Sequence, residues 1–199
     1  MCGRYYVEPE ENAAEMQRIL ENLNQLYPDS KLLPLMRLGE IFPSQIAPVV
    51  ANSKSLTARP FLMQWGFTQE HLPLIINARS ETALVKPMFR ESMQTRRCLI
   101  PANRYFEWQK NSQAKMKYAI ALDQQPMFYM AGIYRREPGN ELPVFVILTS
   151  DAAEEIKFIH ARMPIILPRE QQTAWLNPTA DVNSILAASR DKMVFQKVS

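Results

Sequence analysis

Residues suited to chemistry concentrate in four segments of this chain: Cys2-Gly3-Arg4-Tyr5, Asn77-Ala78-Arg79-Ser80-Glu81-Thr82, the run from Pro101 to Trp108, and His160-Ala161-Arg162-Met163-Pro164. Cys2 follows Met1, which aminopeptidase removes when the next side chain is small. The cysteine so exposed carries an α-amine and a thiol on adjacent carbons, a 1,2-aminothiol that no other residue offers. The amine condenses with an aldehyde, and the sulfur then closes a five-membered thiazolidine on the imine carbon. Ordinary pKa values of about 7.7–8.0 for the amine and 8.5 for the thiol predict reactive fractions of both near neutral pH. The alternative is an ordinary N-terminal residue with no chemical role.

The other segments supply candidate partners. Glu107 stands between Phe106 and Trp108, and strand alternation puts it on one face with Tyr105 and Gln109. It is either a solvent-facing carboxylate or a carboxylate in an aromatic pocket, where a raised pKa suits proton transfer. His160 precedes the apolar run Met163-Pro164-Ile165-Ile166, a placement that fits a hydrogen-bonded structural histidine or a catalytic one. Asn77 and Arg79 follow the apolar Leu74-Ile75-Ile76. The amide there caps a turn or orients a substrate hydroxyl, with Arg79 on a phosphate. Arg4, Arg90, Arg96, Arg97, Arg104 and Arg162 also lie near these segments, and a planar guanidinium suits phosphate. Trp65, Phe67, Tyr105 and Trp108 offer stacking surfaces for unpaired bases or simply pack a core.

These groups must be held by a scaffold, and periodicity indicates which. Apolar residues at helical spacing predict a helix from Glu10 to Tyr27 along Ala13, Met16, Ile19, Leu20, Leu23 and Leu26. Shorter helices are expected over Pro87–Gln94, Glu170–Leu176 and Val182–Ala188, and one capped by Ser150 or Asp151 and running to Ile159. Strands are expected over 46–50, 60–66, 98–100, 105–109, 117–122, 127–134 and 144–149, with 164–167 as the last core strand. Many strands with interspersed helices, and no regular βα alternation, indicate an α+β fold.

At 199 residues the chain fits one large domain, with two small ones the lesser alternative, and a domain of this size removes roughly 70% of its unfolded surface from water. A net charge of +3 is too small to imply nucleic-acid binding, so any basic site must be a local patch. Glu8, Glu10 and Glu11 interrupt the place where a secretory signal's apolar stretch would fall, and no run approaches the roughly 20 apolar residues of a membrane span. Two cysteines, Cys2 and Cys98, are too few for a disulfide framework or a zinc site. A reducing cytoplasm is the expected setting, with no metal, no cofactor and no membrane partner.

Taken in order, short runs across the chain resemble the SOS-response-associated peptidase family, whose members crosslink to abasic sites in single-stranded DNA. They are Met1-Cys2-Gly3-Arg4-Tyr5, Trp65-Gly66-Phe67, Asn77 to Thr82, Lys86-Pro87-Met88-Phe89-Arg90, Arg97 to Ala102, Tyr105-Phe106-Glu107-Trp108, Ala131-Gly132-Ile133-Tyr134, Ile147-Leu148-Thr149, His160 to Pro164 and Trp175-Leu176. The resemblance implies one α+β domain over residues 1–199 with a β-barrel-like centre and a DNA-binding cleft; separately, nothing in the sequence suggests an obligate oligomer, and a monomer is expected. It assigns Cys2 as the nucleophile that captures the ring-opened sugar, Asn77 as the group holding the amino end or the opened sugar, and Glu107 as the proton shuttle. His160 would assist ring opening, protonate the sugar oxygen and promote reversal. Arg4, Arg79 and Arg162 would bind phosphates, and Trp65 would support displaced bases. Autoproteolytic loss of Met1 and weak strand-cleaving lyase activity are also implied.

The chain departs from the family pattern at Ser44-Gln45, where Asn is usual, and at Asn103-Arg104, which replaces a glycine-containing turn. Two other readings compete. A glutamine amidotransferase also begins Met-Cys-Gly and uses its Cys as nucleophile, but the chain has no Asn-Gly dipeptide for that oxyanion site. A non-covalent reader of single-stranded or modified DNA would leave Cys2 merely structural.

Overall fold

The computed structural model describes residues 2–8, 14–110, 115–187 and 192–198. The chain opens with β1 (Arg4–Val7), α1 (Ala14–Leu26), a 3-10 turn (Leu33–Leu35), β2 (Gly39–Ile41), β3 (Ile46–Asn52) and β4 (Ala58–Trp65). It continues through β5 (Phe67–Gln69), β6 (Leu72–Ile75), β7 (Asn77–Arg79), α2 (Ser80–Ala83), α3 (Pro87–Thr95), β8 (Arg97–Ala102) and β9 (Arg104–Lys110). Next come β10 (Lys115–Leu122), β11 (Phe128–Arg135), β12 (Val144–Asp151), β13 (Arg162–Pro164) and β14 (Ile166–Leu167). The last elements are α4 (Arg169–Leu176), α5 (Val182–Ala187) and β15 (Met193–Lys197).

The most apolar strands close into a ring. β12 pairs with β11 antiparallel and with β4 parallel, while β4–β3, β3–β8 and β8–β11 complete the circuit. β7 and β13 attach to β12, and β14 to β11. Every residue of β8 and the first six of β12 are buried, as their near-continuous apolar sequences require of strands covered on both faces. The second sheet runs β15-β10-β9-β1-β2. Arg97 ties α4 to the ring: its guanidinium donates to the carbonyls of Trp175 at 2.6 Å and Met93 at 2.7 Å, and to that of Asn177.

The mixed α+β architecture agrees with the sequence reading, and three local expectations give way. The segment from Ala152 to Ile159 is a series of turns instead of a helix. β12 runs on through Asp151, pairing with Arg162, so the would-be cap is extended, and the loop is pinned by Ala152 N–H to the Ala161 carbonyl at 3.0 Å. The run 164–167 is split between β13 and β14 on different neighbours, and β15 follows it in the chain. Leu74 sits in a peripheral hairpin, 39% exposed, so no buried strand precedes Asn77. The first helix buries Met16, Ile19 and Leu23; its expected start at Glu10, with Ala13, lies outside the described residues. Among the described residues no helix is long and apolar enough to cross a membrane.

Candidate active site

Cys2 reaches the interior because β1 is a central strand, held between β9 and β2. The register pairs Tyr5 with Tyr105 and Arg4 with Phe106. Alternation then turns Tyr5, Tyr105 and Glu107 inward, all buried, and sends Arg4 to the opposite face. Asn103, one of the departures from the family pattern, fixes this register. Its N–H donates to the Tyr6 carbonyl at 2.8 Å and its Oδ1 accepts from Glu8 N–H at 2.6 Å. Cys2 is fully buried and its thiol donates to the Arg4 carbonyl at 3.6 Å. From the ring, Asn77 at the start of β7 donates through Nδ2 to the Cys2 carbonyl at 2.9 Å.

Burial sets the electrostatics. It pushes the Glu107 carboxyl above the ordinary carboxylate range, while the nearby His160 charge pulls it the other way. The Cys2 thiol is pushed well up, first by burial and then by the Glu107 charge. This corrects the expectation of a partly ionised thiol near neutral pH: within the site the sulfur holds its proton until a neighbour takes it. His160 hangs from the loop joining β12 to β13. Its Nδ1 lies between two backbone groups of Arg162: it accepts from the N–H at 3.0 Å when unprotonated and donates to the carbonyl at 3.2 Å when it carries a proton.

The candidate DNA-contacting residues fall into different settings. Arg79 is exposed and lines, with Asn77, Lys86, Met88 and Phe89, a cleft of about 730 Å³. Arg4 packs its guanidinium over Phe42 at 4.5 Å and Trp108 at 5.0 Å, and meets Glu40 at 3.2 Å. Arg162 is already engaged: Nη1 and Nη2 donate to the two Glu81 oxygens at 2.6 and 2.9 Å, and Nη1 also meets Asp151 at 2.6 Å. Trp65 is the correction. It is wholly buried, stacked on Phe145 with its indole N–H on the Ile76 carbonyl, so it cannot lie against a base. Phe67 and Tyr105 are buried likewise. Of the four aromatic residues proposed for stacking, Trp108 alone reaches the surface, half-buried.

The sequence matches the family described as SOS response associated peptidase (SRAP) across residues 1–199. The chain belongs to that family. It is 33% identical over 190 residues to abasic site processing protein YoqW of Bacillus subtilis, covering 89% of this chain and 81% of that one. It is 35% identical over 116 residues to abasic site processing protein YedK of Escherichia coli, covering 56% and 52%. A crystal structure of a protein from Bacteroides thetaiotaomicron shares the fold with a TM-score of 0.76 at 23% identity, covering 100% of this chain and 92% of that one.

Within this SRAP chain the fold brings together Cys2, Asn77, Glu107 and His160, the four chemical candidates read from the sequence, through the Asn77–Cys2 hydrogen bond and the electrostatic reach of Glu107 to Cys2 and His160. It also adds groups that sequence reasoning missed. Thr149, wholly buried, sits cross-strand from Arg79, and its Oγ1 has no hydrogen-bond partner among the described residues; nor does Asn77 Oδ1. The buried hydroxyls of Tyr5 and Tyr105 are also unpartnered and lie within electrostatic reach of Cys2. Lys117 stands over the Phe106 ring at 4.0 Å and donates to Glu40 at 2.8 Å. Burial alone would raise the Glu40 carboxyl, but Lys117 and Arg4 beside it hold it below the ordinary range. Glu81 and Thr149 stood in segments already singled out; only their spatial partners were hidden. Among the described residues no group of His, Cys, Asp or Glu could hold a metal ion.

Proposed function

We propose that this protein processes abasic sites by capturing the ring-opened deoxyribose of single-stranded DNA on Cys2, once Met1 is removed, as a thiazolidine. The observation that carries the reading is the meeting of Asn77 with the Cys2 backbone at 2.9 Å, beside a buried carboxyl in electrostatic reach of both Cys2 and His160. The names of the relatives, abasic site processing proteins, support the same substrate.

Opening of the sugar breaks the C1′–O4′ bond: the His160 imidazolium gives a proton to the ring oxygen, the anomeric hydroxyl loses its proton to water as the C1′ aldehyde forms, and a neutral imidazole is left. The Cys2 amine adds to that carbon to give a carbinolamine, with Asn77 holding the amino end. Glu107, whose raised pKa favours the acid form, gives its proton to the departing hydroxyl, and water leaves from the iminium carbon. The resulting Glu107 carboxylate takes the proton of the Cys2 thiol. The sulfur then bonds to the iminium carbon, whose electron pair returns to nitrogen. The net loss is one water. Closure by sulfur removes the imine through which β-elimination would cut the strand, so lyase activity is a side reaction and the lesion is shielded. Reversal, promoted by His160, runs these steps backward: the C–S bond breaks, the sulfur regains its proton, water adds to the iminium carbon and the Cys2 amine leaves. Autoproteolytic release of Met1 by the same residues accords with the family name.

Incubating the Met1-free protein with a single-stranded oligonucleotide that carries one abasic site tests this. A heat-stable, slower-migrating species on a denaturing gel is expected, absent with Cys2→Ala and with an acetylated N-terminus. Equal product from the blocked protein overturns the aminothiol chemistry. A species that binds the oligonucleotide but never survives denaturation makes the protein a non-covalent reader.

A further inference from the structure

Phe158 and Phe195 are large apolar side chains left 49% and 44% exposed. The fold draws them together with Tyr118, although they come from a turn, an edge strand and the neighbouring strand of the second sheet. Tyr118 meets Phe158 at 5.9 Å and 87°, Tyr118 meets Phe195 at 6.1 Å and 70°, and the two phenylalanines meet at 5.1 Å and 68°. Such edge-to-face packing fixes the rings relative to one another while leaving aromatic surface in water. The cluster is anchored by Gln109, which donates to the Phe158 carbonyl at 3.2 Å and accepts from the Tyr118 hydroxyl at 3.3 Å.

Its position is continuous with the reactive site. Tyr118 is the cross-strand partner of Glu107, and Phe158 lies two residues before His160 in the same loop. From Glu107 to Gln109 the strand advances roughly 7 Å, the span of about two stacked nucleotides at 3.4 Å per step. Lys197, cross-strand from Tyr118 and exposed, places a cation beside the rings, as a polyanionic strand requires. Resting on the reading of the site as one for single-stranded DNA, we infer that Tyr118, Phe158 and Phe195 form a stacking platform for an unpaired base within about two nucleotides of the abasic position. The platform makes affinity depend on the presence of that base. Any flat nucleobase satisfies it, so it contributes affinity without sequence preference.

The test is fluorescence anisotropy with single-stranded oligonucleotides carrying a tetrahydrofuran abasic analogue, which binds but has no aldehyde to capture. Removing the two neighbouring bases on one side of the analogue is expected to weaken wild-type binding about tenfold, and removing those on the other side far less. Phe158→Ala and Phe195→Ala are expected to lose about tenfold on the oligonucleotide with all its bases and nothing further on the one lacking them, while Phe158→Trp retains affinity. The base deletions use unaltered protein, so they stand even if a variant unfolds. Wild-type binding indifferent to base removal on either side overturns the platform, and is the result expected if the rings serve a protein partner. A variant loss equal with and without the bases also overturns it. Base-dependent binding without a crosslink to a genuine abasic site leaves the platform standing and refutes the capture chemistry. Crosslinking with base-independent binding does the reverse.

Discussion

The strand ring and the five-stranded sheet treat polar groups in opposite ways. In the ring, β8 and most of β12 are buried on both faces and contribute aliphatic and aromatic packing around Trp65, Phe145 and Ile147. In the five-stranded sheet, alternation carries Glu107 and the Tyr5 and Tyr105 hydroxyls inward while Arg4 and Lys117 spread over Phe106 and Trp108 outside. Cys2 and Glu107, the thiol and the proton-carrying carboxyl of the proposed chemistry, belong to the sheet. The groups that orient them, Asn77 and His160, are both attached to β12 of the ring. The site therefore lies on the seam, and the ring can be damaged or the chemistry removed with little effect of one on the other.

The separation has consequences that break it if they fail. Cys2→Ala should abolish crosslinking while thermal unfolding stays cooperative, checked by denaturing gel and calorimetry. Glu107→Gln should slow crosslinking about 10²-fold or more, the usual worth of a positioned acid, measured in single-turnover time courses. The same variant carries a pH signature. Burial raises the Glu107 pKa in the folded state, so as pH rises above the ordinary carboxylate value the unfolded chain releases its proton first, and the native state loses stability until it too ionises. Glu107→Gln should therefore unfold at a higher temperature than wild type near pH 7.5, with the gain vanishing near pH 4. Each 1 kcal/mol is worth about 2–4 °C in a protein of this size.

A change in the ring should do the converse. A Cβ at Gly132 would meet Ile100 Cδ1 and lie 3.0 Å from Cys98 Sγ and 3.1 Å from the Val146 carbonyl. Gly132→Ala should cost about 1–3 kcal/mol of stability through overpacking, read by denaturant unfolding, while folded molecules crosslink at the wild-type rate. The smallest effect is expected at Glu81. Its forked pair with Arg162 holds the strand whose N–H fixes His160 Nδ1, but Glu81 is half exposed. Glu81→Gln should reduce crosslinking only about two- to fivefold, in keeping with the roughly 1 kcal/mol or less of an exposed pair.

Much of this was legible in the sequence, where local order carries the information. The apolar runs of β3, β4, β8, β11 and β12 declared themselves, as did the alternation that puts Glu107 beside Tyr105. The cap read at Ser150 or Asp151 misled, because β12 claims Asp151 by pairing it with Arg162, and Ala152, Ile156 and Ile159 then pack inward from turns. Trp65 read as a stacking surface because a sequence shows that an aromatic residue is present but not which side of a sheet closes over it. The Arg162–Glu81 fork spans 81 residues, so a free phosphate ligand and a paired guanidinium look identical until the chain is folded. The thiol's raised pKa was invisible for the same reason: it is a property of burial, and Cys2 is buried only because β1 is a central strand.

The central claim, that Cys2 closes a ring on the sugar carbon, is tested most directly by mass spectrometry of the adduct with an abasic single-stranded oligonucleotide. The account predicts a mass equal to the Met1-free protein plus the oligonucleotide less one water, mapped to the Cys2 peptide and formed without borohydride. An adduct located on a lysine, or one that persists only after borohydride reduction of an imine, would contradict it.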